Sequence, residues 1–287
     1  MARLTVLGAS GRMGTALIRL IADGGEHQLV GALSESGDPA LGRDAGQVAG
    51  IDPQGVLITD DLSSALAGLG SARGGPCDLA IDFTAPAATE RHAHACAAGG
   101  HALVVGTTGL DVGQLSALEA ASRTIPVLYA RNMSLGVTVL TELVRQAVRL
   151  LGPDFDVEII EAHHRAKKDA PSGTALQLGE AASTARGSQL ADLAVYARGG
   201  ISGAARVPGT IGFASLRGGA LVGDHSVMLA GNEELLELTH RATDRALFAR
   251  GALRAASWLV GRPPGLYSLG EVLGLQVQAR LPEARNS

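Results

Sequence analysis

The sequence predicts an α/β protein in two parts: a parallel sheet with helices on both faces, then a region of mixed helices and strands. Three observations carry this. Short β-forming runs alternate with helical patterns from Leu4 to Tyr129, the rhythm of βαβ units. A glycine-rich string joins the first run to the first helix. After Asn132 the texture changes to a long amphipathic helix and a later stretch rich in glycine and β-formers. The 287 residues suit two domains of about 150 each, and a chain of this size buries about three quarters of its unfolded surface without needing a staple.

In order, Leu4–Leu7 is a strand running into glycine. Residues 13–22 place Met13, Leu17, Leu20 and Ile21 at helical spacing. Residues 28–33 form a second strand, and residues 68–76 (GLGSARGGP) a flexible surface loop. Residues 79–83 and 102–105 are further strands, with helices over 86–98 and 112–122 beside them and one more strand over 125–129. Beyond the change of texture come a helix over 135–151, a partly alternating strand over 156–163 and a helix starting near Gly173. Strands with tight turns follow within 194–230, and helices return after Arg241. The expected division is a first domain of residues 1–134 and 245–287 around a second of 135–244.

Composition narrows the function. The chain is 46% hydrophobic and 18% charged, ordinary for a soluble globular protein. With 3% aromatic residues and a net charge of −4, it lacks the basic excess of a nucleic-acid binder. Its densest basic cluster, Arg165, Lys167 and Lys168, suits one anionic metabolite. Cys77 and Cys96 show no metal-ligand spacing, which predicts two ordinary thiols in a reducing cytoplasm and no metal site. No signal-peptide-length apolar run opens the sequence and no run of 18 apolar residues occurs, so no membrane partner is expected.

Gly8-Ala9-Ser10-Gly11-Arg12-Met13-Gly14 lies between the first strand and the first helix. Glycines there permit a tight turn and let backbone amides approach a pyrophosphate, whose charge meets the helix N-terminus. The context makes the first domain a Rossmann-type dinucleotide domain. The second strand of such a domain ends in an acid for the adenosine ribose. Here it ends in Ser34-Glu35: Ser34 offers a hydroxyl, Glu35 stands one position later, and Arg12 could attract a 2′-phosphate. The choice between NADH and NADPH stays open on these residues. Gly106-Thr107-Thr108-Gly109 follows another strand and suits a cofactor edge near the nicotinamide.

The most informative segment is Glu161-Ala162-His163-His164-Arg165-Ala166-Lys167-Lys168-Asp169-Ala170-Pro171-Ser172-Gly173-Thr174. A buried core would not accept these cations unpaired. Ser172 is an N-cap for the helix that follows, and the amides of Gly173 and Thr174, with the helix dipole and Lys167, make a carboxylate site. His163 and His164 are adjacent, so on a strand they face opposite ways and one of them serves a given face. A histidine near its reference pKa of about 6.5 donates a proton at neutral pH.

With this segment, GASGRMG at Gly8, AIDFTAP at Ala80, VVGTTG at Val104, ARNMSLGV at Ala130 and VPGTIGFASLRGG at Val207, the chain resembles the dihydrodipicolinate (4-hydroxy-tetrahydrodipicolinate) reductases over nearly its whole length. The resemblance implies NADH- or NADPH-dependent reduction of a small cyclic dicarboxylic imine in lysine and diaminopimelate biosynthesis, after loss of a 4-hydroxyl as water. It also implies a Rossmann domain with a mixed α/β domain whose open sheet assembles a homotetramer. By motif, His163 is similar to the family's general acid/base and Lys167 to its partner, a proton donor or substrate-carboxylate contact. His164, Ser172, Gly173 and Thr174 match substrate contacts. Gly8, Ala9, Ser10, Gly11, Arg12, Met13, Ser34, Glu35, Gly106, Thr107, Thr108, Ala130, Arg131, Asn132 and Met133 match cofactor contacts. Three departures stand out: Ser34 and Glu35 replace a frequent acid and arginine, Met133 replaces a common Phe, and the loop over 68–76 is long. A different two-domain dehydrogenase or a nucleotide sensor would share the glycine string but lack the His-His-x-x-Lys-x-x-x-Pro-Ser-Gly-Thr spacing.

Overall fold

The computed structural model describes residues 1–72, 74–196, 198 and 205–275. Within the expected loop over 68–76, Arg73 lies outside the described residues, as do 197 and 199–204 of the expected β-rich stretch and the chain beyond 275. The chain divides into two compact units, one of Met1–Met133 with the chain from Ala246 onward, the other of Ser134–Arg245.

The first unit begins β1 (Ala2–Leu7), α1 (Arg12–Gly24), β2 (His27–Leu33), α2 (Ala45–Val48), β3 (Ile58–Thr59) and α3 (Leu62–Ala67). It continues β4 (Leu79–Asp82), α4 (Pro86–Gly99), β5 (Ala102–Val105), α5 (Val112–Ser122) and β6 (Pro126–Tyr129). The second unit runs α6 (Leu135–Leu151), β7 (Asp156–His163), α7 (Gly173–Ala185), α8 (Leu190–Leu193), β8 (Ala194–Val195), β9 (Ile211–Arg217), β10 (Gly223–Ala230) and β11 (Leu235–Ala242). The chain then returns to the first unit as α9 (Ala246–Leu259), β12 (Gly265–Tyr267) and α10 (Leu269–Val272).

Among the described residues the first sheet has the order β12-β6-β5-β4-β1-β2-β3, with every neighbouring pair parallel. Its inner strands are buried without alternation, as in Val30, Ala32 and Leu33 or Leu103, Val104 and Val105, because helices cover both faces. Helix α1 turns Leu17, Ile18 and Ile21 inward at helical spacing. The chain runs outward from β1 to β2 and β3, then returns to place β4 on the other side of β1. In such a sheet the ligand crevice lies at the carboxyl ends of the strands, where the order reverses.

The second sheet has the order β11-β10-β7-β9-β8. It is mixed: β10 is antiparallel to β7 and β11, while β9 is parallel to β7 and β8. Helices α6 and α7 pack Leu140, Val144, Val148, Ala175 and Leu178 against Val157, Ile159, Val227 and Leu229. The alternation in β7 is strict, with Val157, Ile159, Glu161 and His163 all buried. Apolar residues and the two polar ones therefore share one face, and the core gives way to a polar cluster at the strand's end.

The short elements α2, β3, α3 and α8 and the strands β11 and β12 had no counterpart in the sequence expectation. β11 is mostly exposed and lacks the alternating apolar face that reveals a half-buried strand. Helices α2 and α3 are held by their caps: the Asp44 carboxylate accepts the Gly46 and Gln47 amides and Asp61 that of Ser63.

Candidate active site

All strands of the first sheet run the same way, so the loops following β1, β2, β4, β5 and β6 share one edge. Gly8 has φ +84, and its amide and that of Ala9 donate to the Leu33 carbonyl at 2.9 and 2.8 Å. That pins the glycine turn to the end of β2. A Cβ on Gly8 would lie 3.0 Å from the Phe83 carbonyl oxygen after β4. Helix α1 opens at extended, exposed Gly11 with no side chain capping it. Its first-turn amides, at Arg12, Met13 and Gly14, have no acceptor within the helix, which is the arrangement that takes a pyrophosphate.

The turn is also tightly packed beneath. A Cβ on Gly14 would lie 2.1 Å from the Gly8 carbonyl oxygen and 2.7 Å from Ala9 Cα, both backbone atoms. Gly14→Ala is therefore expected to cost about 1–3 kcal/mol of stability and to weaken NADH binding by opening the turn. Urea unfolding followed by circular dichroism, with NADH titration of the folded fraction, measures both. An unchanged midpoint and an unchanged Kd would show that the turn yields freely.

At the other loops, the Asp82 carboxylate organises two turns at once. Fully buried at the end of β4, it accepts from the Thr84 amide (2.9 Å), the Thr84 hydroxyl (2.6 Å) and the Thr107 hydroxyl (3.0 Å), and pairs with His92 Nδ1 at 2.8 Å. Thr107, itself buried, spends its hydroxyl on this network, whereas Thr108 is exposed. A Cβ on Gly106 would strike the Phe83 ring at 2.2 Å, so only glycine there lets that ring pack so closely against the turn. The Ala130 amide donates to Val105 (3.1 Å), tying the start of the 130–133 segment to β5. Arg131 is exposed, Asn132 half-buried and Met133 buried.

At the end of β2, Ser34 is buried and Glu35 exposed. Ser34 Oγ lies 2.7 Å from Ser10 Oγ, and both reach Asp38 Oδ2 at 2.5 Å. Hydrogen bonds from Ser10, Ser34 and the Ala40 amide hold the Asp38 carboxyl below the usual carboxylate range. The carboxylate missing from the strand end is thus supplied four residues later.

In the second unit the polar end of β7 forms one cluster. Glu161 is 1% exposed and His163 8%. His163 Nδ1 sits 2.5 Å from Glu161 Oε2. Arg217, directly opposite His163 on β9, donates to both Glu161 oxygens at 2.8 Å, a bidentate pair. Burial pushes the Glu161 carboxyl up, but hydrogen bonds from Arg217, His163 and Ser215 outweigh it and bring it down to about 2. Burial pulls His163 below the ordinary imidazole value despite Glu161, aided by the charges of Lys167 and Arg217. The Nδ1–H of neutral His163 therefore donates to Glu161, and Nε2 is the atom left for chemistry.

His225, opposite Glu161 on β10, meets the His163 ring edge-on at 5.1 Å between centroids. Its Nε2 lies 3.0 Å from Ser172 Oγ, and its buried Nδ1 has no hydrogen-bond partner. Burial and the neighbouring His163 drive it down to about 4, so it stays neutral. Ser172 caps α7 by accepting the Ala175 amide at 3.1 Å, and its own amide donates to Glu161 at 3.3 Å. Gly173 and Thr174 head the helix beside this cluster. Lys167 is half-buried in the preceding turn and pairs with exposed Asp169 at 2.8 Å. His164 is half-buried, and its carbonyl accepts the Lys167 amide.

The structure thus brings Gly8–Gly14, Ser34, Gly106–Thr108 and Ala130–Met133 to one edge of the first unit. It brings His163, His164, Lys167, Ser172, Gly173 and Thr174 to one end of the second sheet. The residue-by-residue expectation did not single out Glu161, Arg217, His225, Asp82 or Asp38. Glu161 carried a usable signal, since two residues before His163 on a strand it must share its face. Arg217 lies in the VPGTIGFASLRGG string that carries the resemblance, which did not say what it pairs with, and His225 carried no signal; strand pairing far along the chain delivers both. Among the described residues no group of three or more His, Cys, Asp or Glu is placed to hold a metal ion. No helix there is long and apolar enough to cross a membrane.

Comparison with known proteins agrees along nearly the whole chain. A family model described as dihydrodipicolinate reductase, N-terminus, matches residues 2–133, and one described as dihydrodipicolinate reductase, C-terminus, matches 136–273. The 4-hydroxy-tetrahydrodipicolinate reductase of Anaeromyxobacter dehalogenans (strain 2CP-1) is 50% identical over 276 residues, 96% of this chain and 99% of that one. That of Brucella abortus (strain 2308) is 50% identical over 273 residues, 95% and 98% of the two chains. The fold matches a dipicolinate-bound dihydrodipicolinate reductase from Paenisporosarcina sp. TG-14 with a TM-score of 0.73 at 22% identity, covering 93% of this chain and 97% of that one. With matching models over both units and half the residues shared with full-length relatives, the chain belongs to the dihydrodipicolinate reductase family.

Proposed function

We propose that the chain reduces 4-hydroxy-tetrahydrodipicolinate (dihydrodipicolinate) to tetrahydrodipicolinate with NADH or NADPH, a step of lysine and diaminopimelate biosynthesis, and that His163 is its proton donor. Family membership makes the chain an NAD(P)H-dependent reductase of this substrate. The observation that carries the assignment of roles is the buried Glu161–His163 pair lying against the capped start of α7.

The residues present fit a dinucleotide. The uncapped start of α1 leaves first-turn amides for a phosphate, and close backbone approach at Gly8 and Gly14 holds the turn that presents them. Ser10 and Ser34 would hold the adenosine ribose end. Gly106, Thr107 and Thr108, with Ala130, Arg131, Asn132 and Met133, would line the nicotinamide end. When bound, the reduced nicotinamide supplies the hydride.

For the substrate, Lys167 would exchange Asp169 for a ring carboxylate. The Gly173 and Thr174 amides at the head of α7 would take the carboxylate along the helix dipole, and His164 would lie alongside. These contacts fix the acceptor carbon, and positioning of this kind supplies several kcal/mol of the barrier. After reduction the ring is an enamine that needs a proton. Glu161 keeps His163 Nδ1–H engaged, so the proton arrives from His163 Nε2. The first unit supplies the nucleotide contacts and the second the substrate contacts. We assign residues 1–134 and 245–287 to the nucleotide and 135–244 to the substrate and to assembly.

The His163 shift has a measurable consequence. Because burial and nearby cations depress its pKa, the ring is neutral in the free protein near pH 7, and a bound dianion opposes that depression. Binding of pyridine-2,6-dicarboxylate is therefore expected to take up a proton. Calorimetry in two buffers of different ionisation enthalpy reads this directly, and the uptake disappears in His163→Gln. Equal heats in both buffers would remove the proton from His163.

The decisive assay follows nucleotide absorbance with freshly made dihydrodipicolinate, against an oxo acid plus ammonia. Turnover with the second and not the first would reassign the chain to amino-acid dehydrogenation. The same reading makes the protein cytoplasmic and a homotetramer. In its support, the sheet face away from α6 and α7 exposes Leu216, and the edge strand β11 exposes Leu235 and Leu236. Sedimentation velocity measures the assembly.

A further inference from the structure

The loop after β2 is built to return one carboxylate to the strand end. The Asp38 amide donates to the Glu35 carbonyl at 3.2 Å, closing a tight turn. Gly37 sits at the position of that turn where φ is +85, a conformation glycine adopts without strain. Beyond Asp38 the Ala40 amide donates to Oδ1 at 2.8 Å and the Leu41 amide to the Asp38 carbonyl. Asp38 is thus held from both sides, with Oδ2 aimed at Ser10 and Ser34. Ser10 belongs to the glycine turn and Ser34 ends β2, so the carboxylate meets the nucleotide loop where a ribose acid belongs.

Proton counting says what this cluster recognises. Three close contacts, Ser10 to Ser34 and each hydroxyl to Asp38 Oδ2, share two protons. An ionised carboxylate only accepts. With both hydroxyls donating to it, what the cluster offers outward is lone pairs. A ribose diol brings two donors and satisfies them. A 2′-phosphate brings oxygens that are themselves acceptors and a charge of about −1.5 to −2, set against a carboxylate. Exposed Glu35 adds charge of the same sign, and exposed Arg12 is the one nearby group in the glycine turn that opposes it.

We propose that Asp38, through Ser10 and Ser34, takes the role of the missing strand-end acid and makes this protein select NADH over NADPH. This rests on the nucleotide reading of the first unit and adds a preference to it.

Equilibrium binding tests it without turnover. Calorimetric titration of the full-length protein with NADH and NADPH is expected to give NADH the lower Kd by about tenfold or more. ADP-ribose with and without a 2′-phosphate should show the same order. Asp38→Asn keeps the size and the Ala40 contact but removes the charge, and it should bring the two Kd values within about threefold. Thermal unfolding reports whether the variant is folded, and the wild-type ratio stands as a test even if it is not. A wild-type ratio near one, or a ratio that survives intact in folded Asp38→Asn, overturns the selectivity and leaves the nucleotide site standing. Absence of binding by either nucleotide would overturn both.

Discussion

Replacing His163 with Gln should lower kcat by about 10²–10⁴-fold while leaving the Kd for NADH within about twofold, the span that general acid–base groups contribute. The asymmetry follows from where the residue sits. His163 belongs to β7 of the second unit, while the uncapped helix start, the glycine turn with Ser10 and the strand-end Ser34 belong to the first. Glutamine keeps a polar group of similar reach beside Glu161 but holds no transferable proton. The accompanying pH signature has a definite sign. An acid with a depressed pKa is increasingly protonated as pH falls, so wild-type kcat/KM should decline as pH rises through the His163 pKa, and the variant should be flat there. Stopped-flow turnover across pH, with NADH titrated separately, makes both measurements. A kcat that barely moves would place the proton donor elsewhere.

The second large effect is expected at Glu161, which acts through His163 rather than on substrate. Glu161→Gln leaves the Arg217 guanidinium without its bidentate carboxylate and His163 Nδ1–H with a weaker acceptor. Breaking a buried pair costs about 3–5 kcal/mol, and the low end, about 3 kcal/mol, is appropriate because Arg217 stays partly exposed. Linkage gives the pH window. The Glu161 carboxyl falls from an ordinary 4.5 to about 2 in the fold. Its contribution is therefore fully present above the unfolded value and is lost as pH drops from roughly 5 toward 2. The stability gap between wild type and variant, read from urea unfolding, should be widest near neutrality and close in acid. A merely structural carboxylate would stop there. A positioning role predicts in addition that the kcat/KM profile moves to lower pH, since losing the anion depresses His163 further, and that Glu161→Asp recovers part of the shift. A gap that stays constant from neutrality to acid would remove the ionised pair from the account.

Buried Cys77 and Cys96 complete the contrast between core and site. Burial raises both thiols, Cys77 to about 11, so neither is a nucleophile near neutrality.

Much of this protein was legible in one dimension. Short runs of apolar β-formers placed the strands β1, β2, β4, β5 and β6, which are buried without alternation, and helical patterns lying between and after them placed the helices α1, α4, α5 and α6, all within a few residues. The glycine string and the Pro-Ser-Gly-Thr cap were readable for a related reason. A turn, a close backbone approach and a helix start are local events governed by adjacent residues. Even the Glu161–His163 relation is local, since alternate residues of a strand share a face.

Long-range pairing hid the rest. Arg217 reaches Glu161 because β9 lies beside β7, and His225 meets His163 because β10 lies on the other side, contacts made by segments more than fifty residues away in the chain. No window along the sequence contains them together. Asp38 is the instructive case between these extremes. It lies only four residues from Ser34, yet its place depends on a left-handed glycine folding the loop back and on Ser10 arriving from another turn. Local chemistry named the groups proposed to bind phosphate, carboxylate and proton. Which of them share a hydrogen bond, and hence which are charged, followed from the sheet order and the burial it imposes.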